Sequence, residues 1–168
     1  MNSLMRILSY LFTRLTALAI IAILIVLAVF MGYDWANINV IINDGLAKRA
    51  ETILMNQDTT ELNKFFTQDF LSHDTILLKR PYEDYTINNY DHSIKIKKMW
   101  VWPWEDETRV FIEEIITGIE GVNKNEESKS DDIPTWKSGE GILIMEKDGR
   151  WKIGDLILTK PIATGTED

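Results

Sequence analysis

The chain has 168 residues, with 18 basic and 26 acidic side chains, two histidines and no cysteine. Its length allows one ordinary domain with a real core, and the lack of cysteine excludes disulfides, thiolate metal sites and cysteine nucleophiles. Two of the basic residues and none of the acids fall in residues 1–33, so the remainder carries sixteen basic against twenty-six acidic residues, a net charge of −10. That balance excludes nonspecific nucleic-acid binding, because phosphate contacts need a basic surface.

Residues 1–14 form a short tail holding Arg6 and Arg14 and no acid. Residues 15–33, LTALAIIAILIVLAVFMGY, contain no charged side chain. At about 1.5 Å per residue a helix of this length crosses most of a ~30 Å hydrocarbon core. Basic residues precede the stretch, and Asp34 and Asp44 follow it before Lys48 and Arg49. The positive-inside rule then places the N-terminus in the cytoplasm and the domain outside, as a single-pass cell-membrane protein. Tyr10, Phe12, Tyr33 and Trp35 suit the two interfacial aromatic belts. A cleaved signal peptide is the competing reading. The run exceeds the usual ~7–15 residue apolar region of such peptides, and no A-x-A-like site ends it.

From residue 36 to about 57 the apolar residues Ile38, Ile41, Ile42, Leu46, Ala50, Ile53 and Leu54 recur at spacings of three and four, which predicts an amphipathic helix. It either continues the membrane helix or starts afresh. Its stripe serves the domain core or, alternatively, an oligomerising stalk. Gly45 marks a close helix contact. Asp58-Thr59-Thr60-Glu61 has the form of a capping box, opening a helix that carries Leu62, Phe65, Phe66 and Phe70 to about Ser72.

Residues 75–79 (TILLK) read as a short strand, and residues 81–90 as a loop rich in turn formers. Residues 92–102 alternate, except that Lys97-Lys98 breaks the parity; a bulge near Lys97 would keep Ile94, Ile96, Met99 and Val101 on one face. Pro103 ends that strand. Residues 108–119 form its antiparallel partner, and residues 121–134 a polar loop. Two last strands, 136–146 and 151–159, flank Asp148-Gly149, whose chemistry favours a type I′ turn. The tail from 161 to 168 is polar and reads as disordered. Helices before a run of antiparallel strands make an α+β fold, with two or three helices covering one face of a curved sheet. The domain occupies residues 34–160.

The order of two helices, a long bent hairpin and a final pair of strands, with Asp148-Gly149-Arg150-Trp151-Lys152-Ile153 in the last hairpin, resembles the NTF2-like (SnoaL-like, cystatin-like cone) superfamily over roughly residues 36–160. Membrane-anchored members include scaffold subunits of conjugation and type IV secretion machinery and envelope proteins of Gram-positive bacteria. The resemblance implies a noncatalytic scaffold or binding domain with a protein partner or a second copy of itself. Enzymes of this fold place a carboxylate base beside a hydrogen-bond donor in the mouth of the cone, chemistry that requires a proton acceptor next to an oxyanion stabiliser. That alternative nominates Asp69, His73, Asp74, Tyr82, Tyr85 and Asp155, none with a diagnostic spacing.

The tryptophans stand out more. Trp100, Trp102, Trp104 and Trp136 are the candidate partner or ligand surface, with Trp102-Pro103-Trp104 at a hairpin tip as its centre. Core and cross-strand packing is their competing role. Lys95, Lys97 and Lys98 make a small basic strip, read as a solvated sheet face. Neither His73 nor His92 has metal-ligand spacing, and no metal or cofactor is implied.

Overall fold

The structure, a computed structural model, describes residues 3–124 and 133–162. One helix, α1, runs unbroken over Ser3–Leu54, so the predicted apolar and amphipathic segments are a single rod. The part from Leu8 onward is long and apolar enough to cross a membrane, and none of its most apolar window is buried in the protein. Burial begins abruptly at Asp34. From there Asp34, Ile38, Ile42, Leu46, Arg49, Ala50 and Ile53 are buried at helical spacing. A change of pattern on an unchanged backbone thus divides the exposed half from the packed half.

After α1 come a 3₁₀ turn at Thr59–Lys64, α2 at Gln68–His73 and α3 at Thr75–Lys79. Four strands follow: β1 Tyr85–Met99, β2 Glu107–Asn123, β3 Gly139–Asp148 and β4 Arg150–Pro161. They form one antiparallel meander in the order β1-β2-β3-β4. The fold is α+β, with helices on one face of a curved sheet.

Several local predictions are corrected. The single helix predicted from Asp58 to Ser72 is split, because Phe65–Thr67 pairs with the edge of β4 instead: Thr67 N donates to Ile153 O, and Ile153 N to Phe65 O. Asp58 accepts from the Thr60 hydroxyl and makes no side-chain cap to the backbone. Residues 75–79 are helical rather than extended. The Asp74 carboxylate accepts from Ile76 N and Leu77 N, and this N-cap outweighs the strand preference of a five-residue segment. Residues 85–90 belong to β1, since their backbone pairs with the last residues of β2. Trp136 precedes β3. The β3–β4 turn is not type I′, which needs positive φ at both central residues; Gly149 alone has it, at 69°, with Asp148 paired to Arg150. Residues 125–132 of the predicted polar loop and 163–168 of the predicted tail lie outside the described residues. Ile162 N still donates to Ser138 O.

The bulge near Lys97 is where the parity break put it: the register shifts between Ile96 and Lys98. Further shifts occur near Asn88 and Gly118 in the β1–β2 pair and near Gly154 and Thr159 in β4. Bulges raise local twist and bend a sheet, and these wrap the meander around α1.

The core has two clusters along α1. Ile38, Ile42 and Leu46 pack with Phe66, Val101, Val110, Met145 and Trp151. Ala50, Ile53 and Leu54 pack with Tyr82, Ile87, Ile116 and Trp136. The helix therefore enters at the end holding the β1–β2 and β3–β4 connections and finishes at the opposite end. Gly45 is a close contact as expected: a Cβ there would lie 2.9 Å from Phe65 Cβ and 3.3 Å from Ile153 Cδ1.

Candidate functional site

The entry end is built by hydrogen bonds between distant segments. The Asp34 carboxylate accepts from Trp151 Nε1 at 2.9 Å and from Lys147 Nζ at 3.1 and 3.2 Å. Lys147 N in turn donates to Asp106 O at 2.7 Å. The β1–β2 connection, the β3–β4 turn and the first buried residue of α1 are thereby joined. The connection is shaped by its own bonds: the Thr108 hydroxyl donates to Trp100 O, Trp102 N to the Glu105 carboxylate, and Glu105 N to Trp102 O.

This turn displays three indoles. Trp102 lies edge-on to Trp100 at 5.5 Å between centroids and stacks on Trp104 at 5.1 Å. Trp100 is 59% and Trp104 65% exposed. Beside them Lys98, Arg109 and the half-exposed Phe111 line a shallow depression. Trp136 does not join this cluster. It is buried at the other end, stacked on Tyr82 and under the Arg49 guanidinium. Its assignment to a partner or ligand surface is corrected: it precedes β3 and closes the second core cluster.

A second feature is an open groove of about 570 Å³ running from α2 and α3 to β4. It gathers four of the six residues nominated as catalytic: Asp69, His73, Asp74 and Asp155, joined by Glu107 and Glu146. Their partners limit their chemistry. Asp74 is held by Arg49 through two bonds, at 2.6 and 3.1 Å, and both side chains are buried. His73 turns to Asp69 rather than Asp74, with Nδ1 3.4 Å from the Asp69 carboxylate and 2.9 Å from its carbonyl oxygen, both side chains being exposed. Asp155 accepts from Leu156 N. The two tyrosines lie elsewhere. The Tyr82 hydroxyl donates to Pro134 O at 2.9 Å, and Tyr85 opens β1 beside the second cluster. Burial pushes the Tyr82 phenol up to about 12, so it stays protonated and is no base.

Sequence reasoning missed the buried polar pairs. His92 Nε2 lies 3.2 Å from Glu114 Oε1 with both side chains nearly enclosed. The signal was present: Glu114 takes the core position between Ile112 and Ile116 in an alternating strand, and Arg49 and Asp34 fall on the apolar stripe of α1. The Lys97 ammonium bridges Glu113 and Glu140 across three strands, which raises its own pKa and lowers that of Glu140. The basic strip is thus partly neutralised on a solvated face. Among the described residues no group of three or more His, Asp or Glu side chains is placed to hold a metal ion.

Comparison of the chain with protein-family models, with curated proteins and with solved structures gives no match.

Proposed function

We propose that the protein is a single-pass membrane protein whose acidic, extracytoplasmic domain belongs to the NTF2-like (SnoaL-like, cystatin-like cone) superfamily and serves as a noncatalytic binding or scaffold element of a cell-envelope complex. The observation that carries this reading is the unbroken α1, which is apolar and exposed up to Tyr33 and is the core helix of the domain from Asp34. A stiff helix with no linker holds the domain at a set height over the bilayer, as a scaffold needs. Two further facts support it. The space between helices and sheet is filled by Phe66, Phe70, Tyr82, Trp136 and Trp151, and the groove carboxylate that is buried is already paired with Arg49. Orientation follows from the basic tail and the acidic residues after the span.

Crosslinking of the full-length protein in its native membrane, followed by blue-native electrophoresis, tests the reading. A discrete adduct containing a protein neighbour or a second copy is expected. A species that runs only as a monomer, with no crosslinked neighbour, argues against a scaffold. Orientation is tested separately by an impermeant maleimide on Thr86→Cys, the chain having no other thiol. Labelling in intact cells is expected, and labelling only after lysis would reverse the topology.

The groove favours a second reading, a small-molecule site using His73 and Asp69. It predicts saturable binding of a ligand that protects His73 from modification.

A further inference from the structure

The two ends of the domain differ in what they expose. At the far end α1 finishes among Ile87, Ile116 and Trp136. At the entry end, Asp34 follows directly on the apolar stretch, and its carboxylate bonds to Trp151 and Lys147, whose backbone reaches Asp106. The connection that bears Trp100, Trp102 and Trp104 therefore sits beside the point where α1 leaves its apolar half.

Three mutually packed indoles facing water are an unfavourable surface for an isolated domain. Indoles are amphipathic, and they favour the headgroup layer, where the ring lies in an apolar region and the N–H stays hydrated. That layer extends about 5–7 Å beyond the hydrocarbon on each side. Tyr33 and Trp35, exposed on α1 at 66% and 51%, mark its level on the helix itself. We propose that the Trp100-Trp102-Trp104 cluster docks into the lipid headgroup layer beside α1, completing with Tyr33 and Trp35 one interfacial aromatic belt. The proposal rests on residues 15–33 being a membrane span. It makes the bilayer itself the occupant of this surface and gives the domain a second attachment, which stops it pivoting about α1.

The charges define the lipid. Glu105, Asp106, Glu107 and Asp148 lie at this end together with Lys98, Arg109 and Arg150. Mixed signs with an acidic excess give no attraction to anionic lipid. Docking is by ring partitioning, into zwitterionic bilayers, and is insensitive to salt.

The cysteine-free chain allows a direct test. Full-length protein is reconstituted in phosphatidylcholine vesicles with a single environment-sensitive fluorophore at Asp106→Cys, Thr86→Cys or Val29→Cys, and phosphatidylcholine bearing a nitroxide near its headgroup is added as quencher. The Asp106 probe should lose emission, the far-end Thr86 probe should not, and the Val29 probe should report hydrocarbon. Combining Asp106→Cys with Trp100→Ser, Trp102→Ser and Trp104→Ser should abolish its quenching, while circular dichroism stays native. An Asp106 probe as aqueous as Thr86, with Val29 in hydrocarbon, overturns docking and leaves the anchor standing; the indoles would then be free for a protein partner. An aqueous Val29 probe overturns the span and docking together. Quenching that survives the triple replacement, or vanishes in high salt, overturns the role of the indoles.

Discussion

The indole nitrogen of Trp151 donates to the carboxylate of Asp34 at 2.9 Å, across 117 positions of sequence. Asp34 is the first buried residue of α1 after the apolar stretch, and Trp151 is the second residue of the last strand. One bond therefore ties the end of the apolar half of α1 to the final hairpin. Asp34→Ala strands a buried indole N–H and the Lys147 ammonium, and should cost roughly 1–3 kcal/mol. Asp34→Asn, which keeps an acceptor for Trp151, should recover part of the loss. Thermal melts of the full chain in detergent, followed by near-ultraviolet circular dichroism, measure both. Equal melting of Asp34→Ala and the native chain would remove this bond from the account of the fold.

Arg49 and Asp74 form a buried pair inside the domain. Removing one partner of such a pair typically costs about 3–5 kcal/mol, because the other charge is left uncompensated. Arg49→Met should therefore be more harmful than Arg49→Met with Asp74→Asn, in which Asn still caps α3. Denaturant unfolding of the single and double variants gives the comparison. A double variant weaker than the single one would contradict it.

Gly45 lies inside α1, where Ala is ordinarily better by about 1 kcal/mol. The added methyl would sit 2.9 Å from Phe65 Cβ. That atom is anchored to the backbone of the segment paired with β4, so it cannot swing aside like a side-chain tip. Gly45→Ala should lower the melting temperature despite its better helix propensity, whereas Gly32→Ala, with open space around it, should not. A stabilised Gly45→Ala would show that the Phe65 segment yields.

Tyr82 ionises in the unfolded chain near 10 and in the folded protein at about 12, because burial penalises the phenolate. Its folded pKa is raised, so its contribution is intact below pH 10 and is lost as pH rises from 10 towards 12. Stability measured across that window should fall more steeply for the native protein than for Tyr82→Phe. Parallel curves would place the alkaline sensitivity elsewhere.

The Lys48 ammonium binds Glu51 on α1 and Glu61 on the 3₁₀ turn at 3.0 and 3.2 Å, which lowers the pKa of both acids. Depressed carboxylate pKa values give a contribution present above the unfolded pKa and lost as pH falls through the folded one. The 3₁₀ turn should loosen in acid, and Lys48→Met should weaken that dependence, leaving the part that Lys64 gives Glu61. Hydrogen exchange across residues 59–64 reads it.

What could be read in advance follows from the range of each signal. The apolar stretch, the stripe from Ile38 to Leu54, the Lys97 bulge and the last hairpin are periodic patterns of side chains with the backbone they belong to, and they are visible in a short window. The segment at 75–79 defeated the same method, since one carboxylate at Asp74 decided it. The break at Phe65–Thr67 did too, because its hydrogen bonds go to a strand nearly ninety residues later. Of the candidate site, Trp100, Trp102 and Trp104 could be singled out as a hairpin tip, but their stacking, and the separation of Trp136 from them, depend on which faces the bulges turn inward.

By itself, the sequence determined that an uncharged apolar stretch of hydrocarbon-spanning length lies near the N-terminus, the sign of the charge on either side, and the α+β class of the fold. These depend on composition and period, which need no partner. Only the tertiary structure decided that α1 is one rod, that Asp34 closes on Lys147 and Trp151, and that the three indoles stand at the end where the apolar half leaves the domain. The last two relations join residues from about seventy to more than a hundred positions apart, and they are set by packing around one helix rather than by local preference.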